Sequence, residues 1–182
     1  MAKNQNLYFI AIMPHHELQN EVTSFKNYIK EKYFSRAALN SPPHITLFPP
    51  FKWEEENEKI LSKSLSAFVQ NRQIFNVDLN GFDRFSHRVI FIKPILSHPL
   101  NRLQEELAQH LKSLNLINPD EKRIYLPHMT IANRDLKKNL FYPVWNEFKE
   151  NDFKRSFEVN SIVLLKHNGK FWDIFQEFKF RG

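Results

Sequence analysis

Apolar and polar positions along the chain alternate between two periods, and the switches mark out its elements. Residues 7–13 (LYFIAIM) form a continuous apolar run closed by Pro14, which predicts a buried strand. From about His16 to Tyr33, the apolar side chains Leu18, Val22, Phe25, Ile29 and Tyr33 recur at helical spacing. A strand is expected from His44 to about Phe48, where Pro49-Pro50 stops it. A helix over 54–70 opens on Glu54, Glu55 and Glu56, acids that suit the positive end of a helix dipole. A strand at 74–79 then leads to Gly81 and a turn.

The same order begins again. Residues 88–93 (RVIFIK) read as a strand closed by Pro94, and Ser97 is placed to cap a helix over 98–114. The next strand runs from His128 to about Ala132, and a shorter helix at about 136–149 is interrupted or started by Pro143. Residues 156–165 (SFEVNSIVLL) predict a strand, and Asn168-Gly169 a hairpin turn into residues 170–180. Each half therefore reads β-α-β-α-β. With no Gly-, Ser- or Pro-rich linker between them, residues 1–182 are expected to form one domain with repeats at about 7–87 and 88–182.

Composition narrows what such a chain can do. At 182 residues and 42% hydrophobic content it can bury a sizeable core. The absence of cysteine removes disulfides, thiolate nucleophiles and cysteine-based zinc sites together. The polar start Met1–Asn6 and the short apolar run after it fit neither a signal peptide nor a membrane span. A cytoplasmic, monomeric protein with no membrane partner is expected. The formal charge of +6 and the 14% aromatic content permit an anionic, base-bearing ligand. No Lys/Arg run exceeds two residues, so the chain lacks a basic tail for coating duplexes.

Two phrases carry candidate chemistry. The first is Pro43-His44-Ile45-Thr46-Leu47 and the second Pro127-His128-Met129-Thr130-Ile131, both Pro-His-apolar-Thr-apolar. The chain has eight histidines but only three threonines, and two of those follow a histidine at the same spacing. By composition alone that coincidence has odds below about one in a hundred. In a strand His and Thr at i and i+2 share a face, while Ile45 and Met129 point to the other. Two such strands facing each other would offer two imidazoles and two hydroxyls to one cleft.

Other residues add less. His15 and His16 either line the same cleft or start a helix, and His87, His98, His110 and His167 read as surface. No Asp, Glu or Cys joins the histidines at a metal-ligand spacing, so neither a metal nor another cofactor is expected. With three glycines there is no phosphate-cradling loop, and no Gly-x-Ser-x-Gly elbow occurs. An anion would have to be held by side chains.

Two His-x-Thr-apolar phrases in the halves of a chain this long resemble the two-histidine (2H) phosphoesterase superfamily, and within it the 2′-5′ RNA ligase-like and cyclic nucleotide phosphodiesterase branch. The resemblance implies an α+β fold in which a duplicated β-α-β-α-β unit forms two pseudo-symmetric lobes with antiparallel sheets around a central cleft. It implies catalytic roles for His44, Thr46, His128 and Thr130 and no metal cofactor. Many ligase-like members carry an arginine just beyond the second motif; here Arg134 stands one position later than that pattern. If the strand stays regular, Arg134 shares the face of His128 and Thr130; if it ends, Asn133 faces the cleft instead. Phe48 continues the His44–Thr46 face and is the candidate for stacking on a base. Phe51, Trp53, Phe85 and Tyr125 fall near cleft loops or in the core, and Lys52, Arg84 and Arg88 are candidates for contacting a longer RNA.

Opening a 2′,3′-cyclic phosphate needs a base to activate water and an acid to protonate the leaving ribose oxygen. Two histidines supply both when one is neutral and the other protonated. Threonine hydroxyls would donate to the non-bridging oxygens, where charge builds in the transition state. The expected activity is metal-independent hydrolysis of 2′,3′-cyclic phosphate or 2′-5′ phosphodiester ends of nucleotides or RNA. The alternatives are 2′-5′ RNA ligation and a non-catalytic module that binds RNA ends.

Overall fold

Segments with one apolar face must pair to satisfy their backbones, and here they pair into two sheets. A computed structural model describes residues 4–116 and 124–182, so the terminal residues 1–3 noted above lie outside it. In chain order the first elements are β1 (Gln5–Ile12), α1 (His16–Tyr33), β2 (Ile45–Glu54) and α2 (Glu58–Phe68). β3 (Phe75–Phe85), β4 (Val89–Pro94), α3 (His98–Leu111) and β5 (Met129–Ala132) follow. The chain closes with α4 (Lys138–Phe148), β6 (Lys154–Val159), β7 (Ser161–His167) and β8 (Trp172–Lys179). Four strands form one antiparallel sheet in the order β2-β1-β7-β8, and four form another in the order β5-β4-β3-β6. The fold is α+β, as expected.

The helices follow their apolar stripes. Leu18, Val22, Ile29 and Tyr33 of α1 are buried, as are Leu100, Leu103, Leu107 and Leu111 of α3. The Ser97 hydroxyl accepts from the Leu100 amide at 3.4 Å, as its place before α3 anticipates. One continuous core joins the sheets, from Ile10, Ile12 and Ile45 on one side to Ile90, Ile92 and Met129 on the other. Among the described residues no helix is long and apolar enough to cross a membrane.

Four expectations need correction. β2 does not stop at Pro49-Pro50 but runs to Glu54, so α2 begins at Glu58 after a 3₁₀ turn. Proline is tolerated there because β2 is an edge strand whose free side needs no amide donors. β3 likewise continues past Gly81, which takes φ 69° where the pairing register shifts, and the turn comes later, at Ser86 with φ 53°. The single strand expected over 156–165 is two strands in different sheets: β6 pairs with β3, and β7 with β1. No Gly or Pro marks that crossover; it falls at Asn160, whose carbonyl accepts from the Phe180 amide. Finally, Pro143 neither starts nor interrupts α4 but sits inside it.

Because of that crossover, the sheets draw strands across the repeat boundary placed near residue 87. β3 belongs with β4, β5 and β6, whereas β7 and β8 return to β1 and β2. In both sheets the His-Thr strand is outermost and pairs with a single neighbour: β2 with β1, and β5 with β4.

Candidate active site

Each histidine is the residue immediately before its strand, His44 before β2 and His128 before β5. The residues between His and Thr pack inward: Ile45 and Met129 are both fully buried. Cross-strand pairing matches as well, with Ala11 opposite Thr46 and Phe91 opposite Thr130. The two phrases therefore present His and Thr from equivalent places in the two sheets.

The imidazoles are oriented by the same bond. His44 Nδ1 lies 2.7 Å from the Pro42 carbonyl oxygen, and His128 Nδ1 lies 2.9 Å from that of Leu126. A carbonyl only accepts, so each Nδ1 carries a proton and each Nε2 is left for other partners. The rings also rest on aromatics. Phe9 lies 4.8 Å from His44, and Phe85 and Phe91 lie 4.9 and 5.5 Å from His128, centroid to centroid.

Burial gives the pair its electrostatics. Removal from water disfavours imidazolium and pushes His44 down to about 4; the bond to the Pro42 carbonyl opposes this, and the positive charges of Lys26 and His128 add to it. The same burial lowers His128, opposed by its bond to the Leu126 carbonyl. The charge of His128 is thus felt at His44. Lys26, on α1, is 2% exposed, and burial alone pulls its ammonium down to about 7.

A cavity of about 730 Å³ opens beside the motif strands. Thr46, His128 and Arg134 line it, whereas His44, Thr130 and Phe48 are not among its lining residues. Gln104, Glu105, Ala108 and Gln109 of α3 form one wall, and Pro49, Pro50, Phe85 and Tyr125 close the others. β5 ends at Ala132, so Arg134 stands in the turn beyond it, exposed, and reaches the cavity without belonging to the strand face. The Asn133 side chain bonds the Arg134 amide at 2.8 Å and is not part of the lining.

Phe48 is not a stacking platform; it is fully buried in the core. The pairing explains why. Ala11 faces Thr46 but Ile10 faces Phe48, so Leu47 is an extra residue in β2 and the strand's parity flips after it. Exposing Phe48 would forfeit about 1.5–3 kcal/mol of burial, as much as stacking on a base returns.

Of its two expected places His15 takes the helix start, capping α1 with its ring 2.8 Å from the Glu17 carboxylate. His110 is half-buried beside Ser64, and His167 packs on Trp172 at 4.8 Å, so neither is simple surface. Among the candidates near cleft loops, Phe85 and Tyr125 line the cavity while Phe51 and Trp53 pack on the core. Sequence reasoning missed the α3 wall and Lys26. It also missed the Tyr125 hydroxyl, which donates to the Thr46 carbonyl at 3.0 Å and ties the approach to β5 onto β2. Only pairing and tertiary contact could reveal these. Among the described residues no group of three or more His, Cys, Asp or Glu is arranged to hold a metal ion.

Similarity to known proteins covers almost the whole chain. A Geobacillus kaustophilus protein assigned to the phosphoesterases is 28% identical over 175 residues, 94% of each chain. An Oceanobacillus iheyensis protein with the same assignment is 26% identical, over 94% of this chain and 96% of its own. The crystal structure of E. coli LigT complexed with 3′-AMP superposes with a TM-score of 0.70 at 17% identity, over 98% of this chain and 100% of that one. A Thermus thermophilus crystal structure gives 0.68 at 18% identity, over 97% and 98%. Those structures share the fold. The 2′-5′ RNA ligase superfamily model matches residues 14–171, both motifs included, and the chain belongs to that superfamily of two-histidine phosphoesterases.

Proposed function

We propose that this phosphoesterase hydrolyses 2′,3′-cyclic phosphate or 2′-5′ phosphodiester ends of nucleotides or RNA, without a metal, by acid–base catalysis between His44 and His128. The observation that carries the reading is the matched pair of Nδ1-to-carbonyl bonds, which leaves both Nε2 atoms for proton transfer. The volume of the cavity, about 730 Å³, suits a nucleotide. E. coli LigT, of the same fold, has been crystallised with 3′-AMP and with ATP, which favours a nucleotide ligand here as well.

The environments divide the roles. His44, held at about 4, is neutral at physiological pH and takes the proton of the attacking water at Nε2. His128 lines the cavity, where a bound phosphate raises its affinity for a proton, so Nε2–H is available to the leaving ribose oxygen. Thr46 and Thr130 donate to non-bridging oxygens as charge accumulates, and Arg134 draws the anion into the cavity.

The test is turnover of nucleoside 2′,3′-cyclic phosphates by the purified protein with EDTA present. The expected result is hydrolysis that EDTA leaves intact and that His44→Ala and His128→Ala each nearly abolish. Activity restored only by a divalent metal overturns the metal-free mechanism. Tight binding of RNA ends with no histidine-dependent turnover points to a binding module instead.

A further inference from the structure

Lys26 is an anomaly that the proposed chemistry does not use. It lies on the buried face of α1 among Leu18, Val22 and Ile29, at 2% exposure, where an aliphatic residue would satisfy the pattern. A buried ammonium is expensive, and among the described residues Lys26 makes one hydrogen bond, from Nζ to the Ser41 carbonyl, 3.0 Å away. Ser41 is the residue before Pro42, and the Pro42 carbonyl is the one that holds His44 Nδ1. A chain of contacts thus runs from α1 through Ser41 and Pro42 to the imidazole.

We propose that Lys26 is a positioning residue for His44: its ammonium clamps the Ser41–Pro42 backbone that orients the imidazole, and its charge adds to the burial that already disfavours an imidazolium there. The inference rests on the reading that His44 is the base. Two charged groups act on His44, Lys26 from α1 and His128 from the approach to β5. Both oppose its protonation. Burial is the cause of the depression of Lys26 itself to about 7. Lys26 is therefore fully charged throughout the acidic range in which His44 takes up its proton near 4. The second motif lacks this arrangement; the causes acting on His128 are burial and its own carbonyl bond.

Stability provides an independent signature. The folded-state pKa of Lys26 lies below the ordinary value of 10.5, so the unfolded chain binds the extra proton between about 7 and 10.5. Stability rises with pH across that window, and below it the protein bears the full cost of a buried charge. Removing the ammonium should stabilise the fold while impairing the site, a pattern expected of a residue kept for function.

The experiment compares wild type with Lys26→Met, which keeps the volume, and Lys26→Gln, which keeps a donor but no charge. Three readouts are taken: thermal melting at pH 6, NMR titration of the His44 ring, and kcat and KM on a 2′,3′-cyclic nucleotide. Both variants should melt higher than wild type. Both should titrate His44 at higher pH, and kcat should fall about tenfold in Lys26→Met with KM little changed, a fall well short of losing a proton-transfer group. Lys26→Gln should retain more of kcat than Lys26→Met. An unchanged His44 titration with unchanged kcat overturns the proposal, as does a lower melting point with a native titration, which marks Lys26 as structural. A shifted titration in protein without cyclic-phosphate turnover would retain the proposal and fault the substrate assignment instead.

Discussion

The strands β2 and β5 carry one phrase in two settings. In both, the central apolar residue is fully buried and the histidine is anchored through Nδ1 to the carbonyl two residues before it. Beyond the threonine they diverge. β2 adds Leu47 as a bulge and continues to Glu54, so its following aromatic, Phe48, turns into the core. β5 ends after four residues, and the turn beyond it brings Arg134 to the cavity. Behind His44 stands the buried Lys26, whereas His128 is flanked by Phe85 and Phe91 and lines the open cavity. Identical residues thus sit in different electrostatic surroundings, and such a difference can divide base from acid.

The largest effects are expected at the histidines. His44→Ala and His128→Ala should each lower kcat by about 10²- to 10⁴-fold, the usual worth of one proton-transfer group. The double variant should lose less than the product of the two, since both serve one displacement. Steady-state rates for the three proteins check this; a single variant near wild-type rate removes that histidine from the mechanism. Thr46→Val and Thr130→Val test whether the hydroxyls are as equivalent as their register. Each should cost about 100-fold in kcat with a modest change in KM, the behaviour of a donor to developing charge. A loss confined to KM would reassign that threonine to ground-state binding. Arg134→Ala should have the smallest effect, a several-fold rise in KM that shrinks as salt is added, because the guanidinium is exposed and screened. A large, salt-independent fall in kcat would place Arg134 on the reacting phosphate.

Much of this molecule could be read from the chain because its local and global signals agree. The stripes of α1 and α3, the Ser97 cap and the shared Pro-His-apolar-Thr-apolar pattern each depend on residues close in sequence. What escaped depends on pairing. One extra residue at Leu47 reverses the face of Phe48, and nothing local announces a bulge there. The crossing at Asn160 sends two adjacent strands to different sheets without a glycine or proline to mark it. The prolines at 49 and 50 are strand breakers only in a central strand, and β2 lies at an edge. Lys26 falls on an apolar stripe, where a sequence pattern registers a mismatch but cannot say which loop the ammonium reaches.

The proposed catalysis turns on the division of labour between the two imidazoles, and the pH dependence of kcat/KM for a nucleoside 2′,3′-cyclic phosphate tests it most directly. That parameter reports the free enzyme, in which both histidines lie below their ordinary 6.5, so the wild-type bell should be centred on the acid side of that value. Its acid limb should fall near 4, as His44 takes up a proton, and its alkaline limb as His128 loses one. The profile of kcat should lie at higher pH, since bound phosphate favours both imidazolium forms. His44→Ala should erase the acid limb of kcat/KM and His128→Ala the alkaline limb. Residual activity that keeps both limbs in either variant, or a wild-type bell centred above 6.5, would contradict the assignment.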